Sequence, residues 1–567
     1  MTPEERYKIT SNEYVDRFVQ WNGREAVLEQ HRENSIQVMN ERYAVEYVPV
    51  AEINRMRIAE IGYSSIPRCF GLESERSLEV SGVLRVRQAP SLSLRGSGVL
   101  VGIIDTGIDY TNPVFLHGDG TSKIIELWDQ TIDSEDQYPE DIYFGTVYSR
   151  EQIDQALASE NPFETVPSRD EIGHGTMLAG IAAGAELPDD NFSGVVPDSD
   201  LIVVKLKQAK PSVRDIFAIP PDVPAYQEND IVWGVQYLIS VARRLQRPLS
   251  ICIGLGSSQG SHDGRGVLSS VITVGADFPG ITINVSAGNE GNMRRHYYGV
   301  INQDIGYNTV ELNVAENEGG FTMELWGAAP NTYSIDITSP SGEYIPRIAE
   351  GLRVSREISF IFDPTVIQLD YNMIESQIGD ELILMRFRQP SAGVWTFQVY
   401  GRGDLPGSFH IWLPMGDFIS QDTYFIQSNP YTTITSPGNA LTPITVTAYN
   451  PTTSTLYQNA SKGYTRINEI KPELAAPGVN ILAPTLEHGF TEMTGTGAAA
   501  AHTAGITAMF LEWGIVRGNY TGIDTVEVKK FMIRGAKQSP RLQYPNRDWG
   551  YGAIDIYNVF NVLRSGG

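Results

Sequence analysis

The chain has 567 residues, 41% apolar and 20% charged, which is enough for two to four folded modules and too apolar for a disordered polymer. Its 43 basic and 68 acidic residues leave a net charge of -25, which repels a phosphate backbone and argues against nucleic-acid binding. No run reaches 18 apolar residues, so no membrane span is predicted, and residues 1–25 lack the apolar core of a secretory signal, which predicts synthesis in the cytoplasm. Cys69 and Cys252 lie far apart in apolar stretches and are expected to be buried thiols, not a disulfide.

In chain order, residues 1–90 read as a small α+β module, with a helical pattern over Tyr14–Arg32 and strand-like alternation over Leu78–Val86. The turn-rich stretch Gln88–Gly98 marks a junction. Residues 91–295 then alternate apolar strands (Val99–Ile104, Leu201–Leu206, Leu249–Leu255) with helical spacing, as in Asp230–Arg244. Strands that apolar, separated by helices, predict an α/β fold with a parallel sheet covered on both faces. Over 296–435 the helical pattern stops, and Thr309–Val314, Thr322–Trp326, Tyr333–Thr338, Val366–Tyr371, Leu382–Phe387 and Val394–Tyr400 alternate between turns such as Ser339–Gly342. That spacing predicts an inserted all-β, jelly-roll-like sandwich. Its Arg402-Gly-Asp404 reads as a hairpin turn. Residues 436–567 return to the α/β pattern, with a strand at Ile444–Ala448 and helices at Ala498–Trp513, Val526–Arg534 and Ala553–Leu563.

Three segments carry chemistry together. Val101-Gly-Ile-Ile-Asp105-Thr-Gly107 puts a carboxylate at the carboxyl end of a buried strand, where open α/β sheets place their sites. Gly173-His174-Gly175 starts a helix with an imidazole, and Gly495-Thr-Gly497 starts another with small residues whose N-terminal dipole favours a developing oxyanion. In this order the three resemble the Asp, His and Ser signatures of the subtilisin (S8) family. Val285-Ser-Ala-Gly-Asn289-Glu-Gly291 resembles that family's oxyanion segment, Ile253-Gly254-Leu255-Gly256 its substrate-pairing strand, and Lys471–Gly478 the landmark before its nucleophile helix.

The resemblance implies Asp105 as orienting carboxylate, His174 as base, Asn289 as oxyanion donor, and Gly254, Leu255 and Gly256 as substrate-binding backbone. Position 497 departs from the pattern, because the family has Ser there and glycine has no atom to attack a carbonyl. Ala498 and Ala501 also replace the family's Met and Pro, which changes packing and not chemistry. Thr494 and Thr496 are nearby hydroxyls, but one residue of displacement at a helix start turns a side chain by about 100°, away from the imidazole. His262 lies outside the three motifs and reads as structural. No loop has EF-hand-like spacing, so neither metal nor cofactor is assigned.

The N-terminal region, the insert between Asn289 and position 497, and Gly-Tyr-Gly552-Ala-Ile-Asp near the end resemble the Csp germination proteases of spore-forming clostridia. That resemblance implies a propeptide-like domain whose tail blocks the cleft, self-cleavage near residues 86–98 in active members, and deposition in the spore. It also implies a protein partner, either another Csp-type protein or the zymogen of a cortex-degrading hydrolase. Members with degraded triads act as pseudoproteases that relay germinant signals, and glycine at 497 fits them. The alternative is an active endopeptidase represented by a Ser-to-Gly variant. A coat or scaffold protein that assembles through its sandwich is a third reading.

Overall fold

A computed structural model describes residues 3–31, 34–53, 58, 62–72, 80–403 and 405–565. Nine strands among these form the central sheet. Eight run in the order Thr455–Leu456, Ile444–Asn450, Ile281–Ser286, Leu249–Ile253, Leu100–Asp105, Asp200–Lys205, Ile124–Asp129, Thr146–Ser149, and Leu474–Pro477 also pairs with Ile444–Asn450. Pairing is parallel throughout the interior and antiparallel only at the two edges.

Along Leu100–Asp105, Val101 and Ile103 enter one core with Leu178, Ala179 and the helix Thr496–Leu511. Leu100 and Ile104 enter the opposite core with Ile231, Val235 and Leu238 of the helix Glu228–Leu245. A strand buried on both faces has no polar side, which is why these strands read as continuous apolar runs.

A second, three-stranded antiparallel sheet (Tyr14–Gln20, Tyr43–Pro49, Ser35–Val38) lies over that second core, adding Phe18, Tyr43, Val45 and Tyr47 to it. The region 296–425 contains two antiparallel sheets of six and five strands. They share one core, with Val310, Leu312 and Phe397 from one and Phe321, Met323 and Phe387 from the other. The strand Gly320–Gly327 is buried on its outer face as well, where Trp326, Leu382, Leu384 and Trp412 meet Val15, Val48, Tyr63 and Cys69 from the N-terminal region and Val213 and Phe217 from the main domain. The sandwich is therefore wedged against both. Among the described residues no helix is long and apolar enough to cross a membrane.

Several sequence expectations need correction. Tyr14–Gln20 is a strand, not a helix, and among the described residues of the Tyr14–Arg32 stretch only Glu25–Glu29 is helical. Val15, Phe18 and Val19 mimic helical spacing because the strand is buried on both faces, which erases the period of two. The expected strand Leu78–Val86 lies partly in 73–79, outside the described residues, and Val83–Gln88 is a helix with Val83 and Val86 on one buried face. The chain after Arg402 passes from one sheet to the other and closes no hairpin; Asp404 lies outside the described residues. The sandwich strands His296–Val300, Tyr344–Ile348, Arg353–Ser359 and Ser408–Trp412 escaped the sequence reading; the first three are edge strands, and the fourth has only five residues over which to alternate.

Candidate active site

Asp105 ends its strand fully buried, and its Oδ1 accepts from the Thr106 N–H (2.8 Å) and faces His174 Nδ1 at 2.7 Å. His174 opens the helix His174–Ala183, and close packing of glycine makes the approach possible. A Cβ on Gly175 would stand 2.2 Å from the Gly107 carbonyl oxygen, so any larger residue would drive the helix start off the Asp-Thr-Gly turn. The Gly175 N–H is bonded to Thr106 Oγ1 (2.9 Å). Asp170, which sequence reasoning missed, organises the same helix start: its carboxylate accepts from the N–H groups of Gly173 (2.8 Å) and Thr176 (3.0 Å) and from the Thr176 hydroxyl. An Asp just before a helix start is a capping signal that could have been read. With Nδ1–H donating to the carboxylate, the imidazole is held in the tautomer and orientation a general base needs.

Gly497 is the second residue of the helix Thr496–Leu511 and is buried. The structure brings it to His174 through Gly254: a Cβ on Gly254 would lie 3.6 Å from His174 Cε1 and 3.7 Å from Gly497 Cα. Asn289 completes the corner. Its Oδ1 accepts from the Thr496 N–H and hydroxyl, both at 3.2 Å. Because a backbone N–H can only donate, the amide oxygen must face Thr496, and the NH₂ group is left as a donor on the other side.

The same bonds decide the fate of the neighbouring hydroxyls. Thr496 Oγ1 donates to Asn289 and accepts from the Gly288 N–H (3.0 Å), so it braces the oxyanion segment. Thr494 pairs with Asn480 in the hairpin below the helix. Both hydroxyls are committed away from a nucleophile's task.

Leu255–Gly256, beside this corner, forms a three-stranded antiparallel sheet with Cys69–Leu72 and Tyr226–Gln227. Cys69–Leu72 is the middle strand, with Leu72 opposite Leu255, Gly71 opposite Gly256, and Cys69 and Phe70 opposite Gln227 and Tyr226. Sequence reasoning missed Tyr226–Gln227, since two residues give no periodicity. It also expected the cleft-adjacent segment around residues 86–98. There the chain is instead the helix Val83–Gln88, with buried Arg87 bonded to the Val195 carbonyl (Nε, 3.1 Å).

His262 sits away from the corner, stacked on Trp412 with ring centroids 4.1 Å apart. Its two nitrogens face the carbonyl oxygens of Ile434 and Ser258, and burial pulls its pKa down to about 4. A Ser–His contact away from this corner, Ser81 Oγ to His502 Nε2 at 2.7 Å, is fully buried, and desolvation lowers the His502 pKa to about 3. Without access to solvent it is structural. Both cysteines are free and buried, and desolvation pushes the Cys69 thiol up to about 12.

Comparison with known proteins agrees with this architecture. The model described as "Subtilase family" matches residues 96–315 and 422–552, and the gap between them falls on the sandwich. The solved structure of the CspB protease of Clostridium perfringens is similar at 28% identity and a TM-score of 0.76, covering 86% of this chain and 97% of that one. The subtilisin-like protease SBT3.17 of Arabidopsis thaliana is 23% identical over 483 residues, 78% of this chain, and the match spans only 58% of that protein's length.

Proposed function

Because this chain belongs to the subtilase family, we propose that it is a pseudoprotease, a serine-protease scaffold that binds and regulates but does not cleave. The observation that carries the reading is Gly497 in the hydroxyl position of a corner whose other parts, Asp105, His174 and Asn289, are in bonding order. Loss of the hydroxyl removes about 10⁶-fold in turnover, or about 8 kcal/mol of transition-state stabilisation.

The cleft supports the reading from the other side. The residues before the junction pair with Leu255–Gly256 as an extended substrate would, so the N-terminal region is a propeptide-like domain whose tail blocks its own cleft. The scissile bond of an active form would then fall after Leu72 and before Ser81, because the register runs from Leu72 opposite Leu255 towards Gly254 and the corner. The two-sheet sandwich is taken as jelly-roll-like, and the likeness to the CspB protease supports a place in spore germination signalling, with another Csp-type protein or a cortex-hydrolase zymogen as partner.

The preserved Asp105–His174 bond also favours a second reading, an active endopeptidase represented by a Ser-to-Gly variant. Intact mass and fluorophosphonate labelling test both. The protein as it stands is expected to remain one uncleaved, unlabelled chain, and Gly497→Ser is expected to react and to process itself between Leu72 and Ser81. Cleavage of the unaltered chain would sink the pseudoprotease reading. A silent Gly497→Ser variant would sink the second reading, since decay would then extend beyond one residue.

A further inference from the structure

Main-chain pairing of Cys69–Leu72 is blind to side chains, but Arg68, the residue before it, is held in a built cavity. Its side chain is 9% exposed. A Cβ on Gly260 would lie 2.7 Å from its Cζ and Nη1, and one on Gly266 would lie 2.6 Å from Nη1 and 2.9 Å from Nη2. Two bare Cα atoms thus make a flat floor on which the planar guanidinium lies, and a residue with a side chain at either place would lift it off.

The walls are acidic and come from two parts of the molecule. Glu228 of the main domain accepts the Arg68 N–H through Oε2 (3.3 Å) and returns its own N–H to the Arg68 carbonyl (2.8 Å); its Oε2 lies 3.9 Å from Arg68 Nε. Glu324 of the sandwich is fixed by the Gly260 N–H (2.9 Å), Trp326 Nε1 (3.1 Å) and the Tyr63 hydroxyl (2.5 Å). Glu375, also buried, adds a third carboxylate. Burial acts to lower the guanidinium pKa, yet Glu228, Tyr63, Glu324 and Glu375 together raise it, so the cavity is matched to a cation.

We infer that this cavity is an arginine-recognition subsite, and that the cleft selects extended peptides carrying arginine immediately before the segment that pairs with Tyr226–Gln227 and Leu255–Gly256. The inference rests on the reading of Cys69–Leu72 as a substrate-like strand. In this chain Arg68 fills the subsite in cis. A partner segment that displaces the strand must bring its own arginine, and lysine, lacking the planar fork, will not serve.

Cys69 reports strand release and Cys252, in the core strand Leu249–Ile253, reports global unfolding, both read by thiol alkylation and mass spectrometry of the full chain. Arg68→Ala and Arg68→Lys are expected to speed Cys69 alkylation at least about tenfold, the factor that about 1.4 kcal/mol of lost anchoring gives, with Cys252 unchanged. The peptide Ile-Pro-Arg-Ser-Phe-Gly-Leu added to the Arg68→Ala protein should speed Cys69 further, and its citrulline counterpart should not. Equal effects of the two peptides, or Cys69 as protected in Arg68→Ala as in the unaltered protein, overturn the subsite but leave the cleft reading standing. If Arg68→Ala exposes both cysteines, Gly266→Ala decides: its φ of -61° suits alanine, so selective Cys69 alkylation supports the subsite and unchanged protection overturns it. Rapid Cys69 alkylation in the unaltered protein would defeat the cleft reading itself, and the inference with it.

Discussion

The two sides of the cleft differ in what they have kept. On the catalytic side, Asp105 faces His174 and Asn289 accepts from the Thr496 N–H, but position 497 carries no side-chain atom and the buried Asp105 Oδ2 has no hydrogen-bond partner among the described residues. On the side of Leu255–Gly256, Cys69–Leu72 is paired along both edges, Arg68 is boxed in by glycines and carboxylates, and the adjoining interface is buried. Attack on a carbonyl needs one particular atom, which glycine lacks, whereas strand pairing and ion pairing are spread over many groups.

The largest test of that contrast is on the chemical side. In a Gly497→Ser background, Asp105→Asn should lower the rate of turnover by about 10⁴-fold, because the amide no longer holds His174 in the required tautomer, while the unmodified cleft keeps its strand. Progress curves on a peptide substrate check it. An equal loss of Cys69 protection would show that the corner also supports binding, and the contrast would break.

The next effect is on the binding side. Asp16, on the strand Tyr14–Gln20, is buried against Lys210 of the main domain (2.5 Å) and accepts from Asn229 Nδ2 (2.7 Å). Asp16→Ala leaves Lys210 buried without its carboxylate and should cost about 3–5 kcal/mol in urea unfolding, with part recovered in Asp16→Ala/Lys210→Met. A loss below about 1 kcal/mol would show that the N-terminal sheet rests on apolar packing alone.

The smallest effect sharpens the comparison with the sandwich, which touches the cleft only through its outer face. Burial raises the Glu381 carboxyl pKa to about 8, while one oxygen accepts the Tyr333 N–H (2.8 Å). A raised folded pKa means that its stabilisation is complete below the unfolded value of 4.5 and is lost as pH rises towards 8. Glu381→Gln should thus raise Tm by about 2–4 °C at pH 8.5 and change little at pH 5. Thermal scans at the two pH values test it; the same shift at both would rule out ionisation as the cause.

The strands Leu100–Asp105, Asp200–Lys205, Leu249–Ile253 and Ile444–Asn450 and the helices Glu228–Leu245 and Thr496–Leu511 were legible because their signals are local, whereas Ile124–Asp129, Thr146–Ser149 and the hairpin strands Val479–Pro484 and Phe490–Thr494 went unread. A fully buried parallel strand has to be apolar at every position, and the turns that hold Asp105, His174 and Gly497 need small residues within a few positions of each functional one, as the 2.2 Å approach at Gly175 demonstrates. Such constraints leave motifs. The N-terminal region offered none: Tyr14–Gln20 lost its period of two through burial on both faces, and helix Val83–Gln88 is too short to display one.

From its residues the chain specified a two-faced α/β sheet and an inserted β sandwich, and the resemblance of its motifs to the subtilisin family implied a corner of Asp105, His174 and Asn289 around a glycine. Tertiary structure alone decided which segment pairs with Leu255–Gly256, and that Arg68 meets Glu228 and Glu324 while Asp16 meets Lys210. Those partners are separated by 160 or more positions, and a charge paired at that distance leaves no periodicity, cap or turn beside it in the chain. Only the folded packing of three regions brings them within reach of one another.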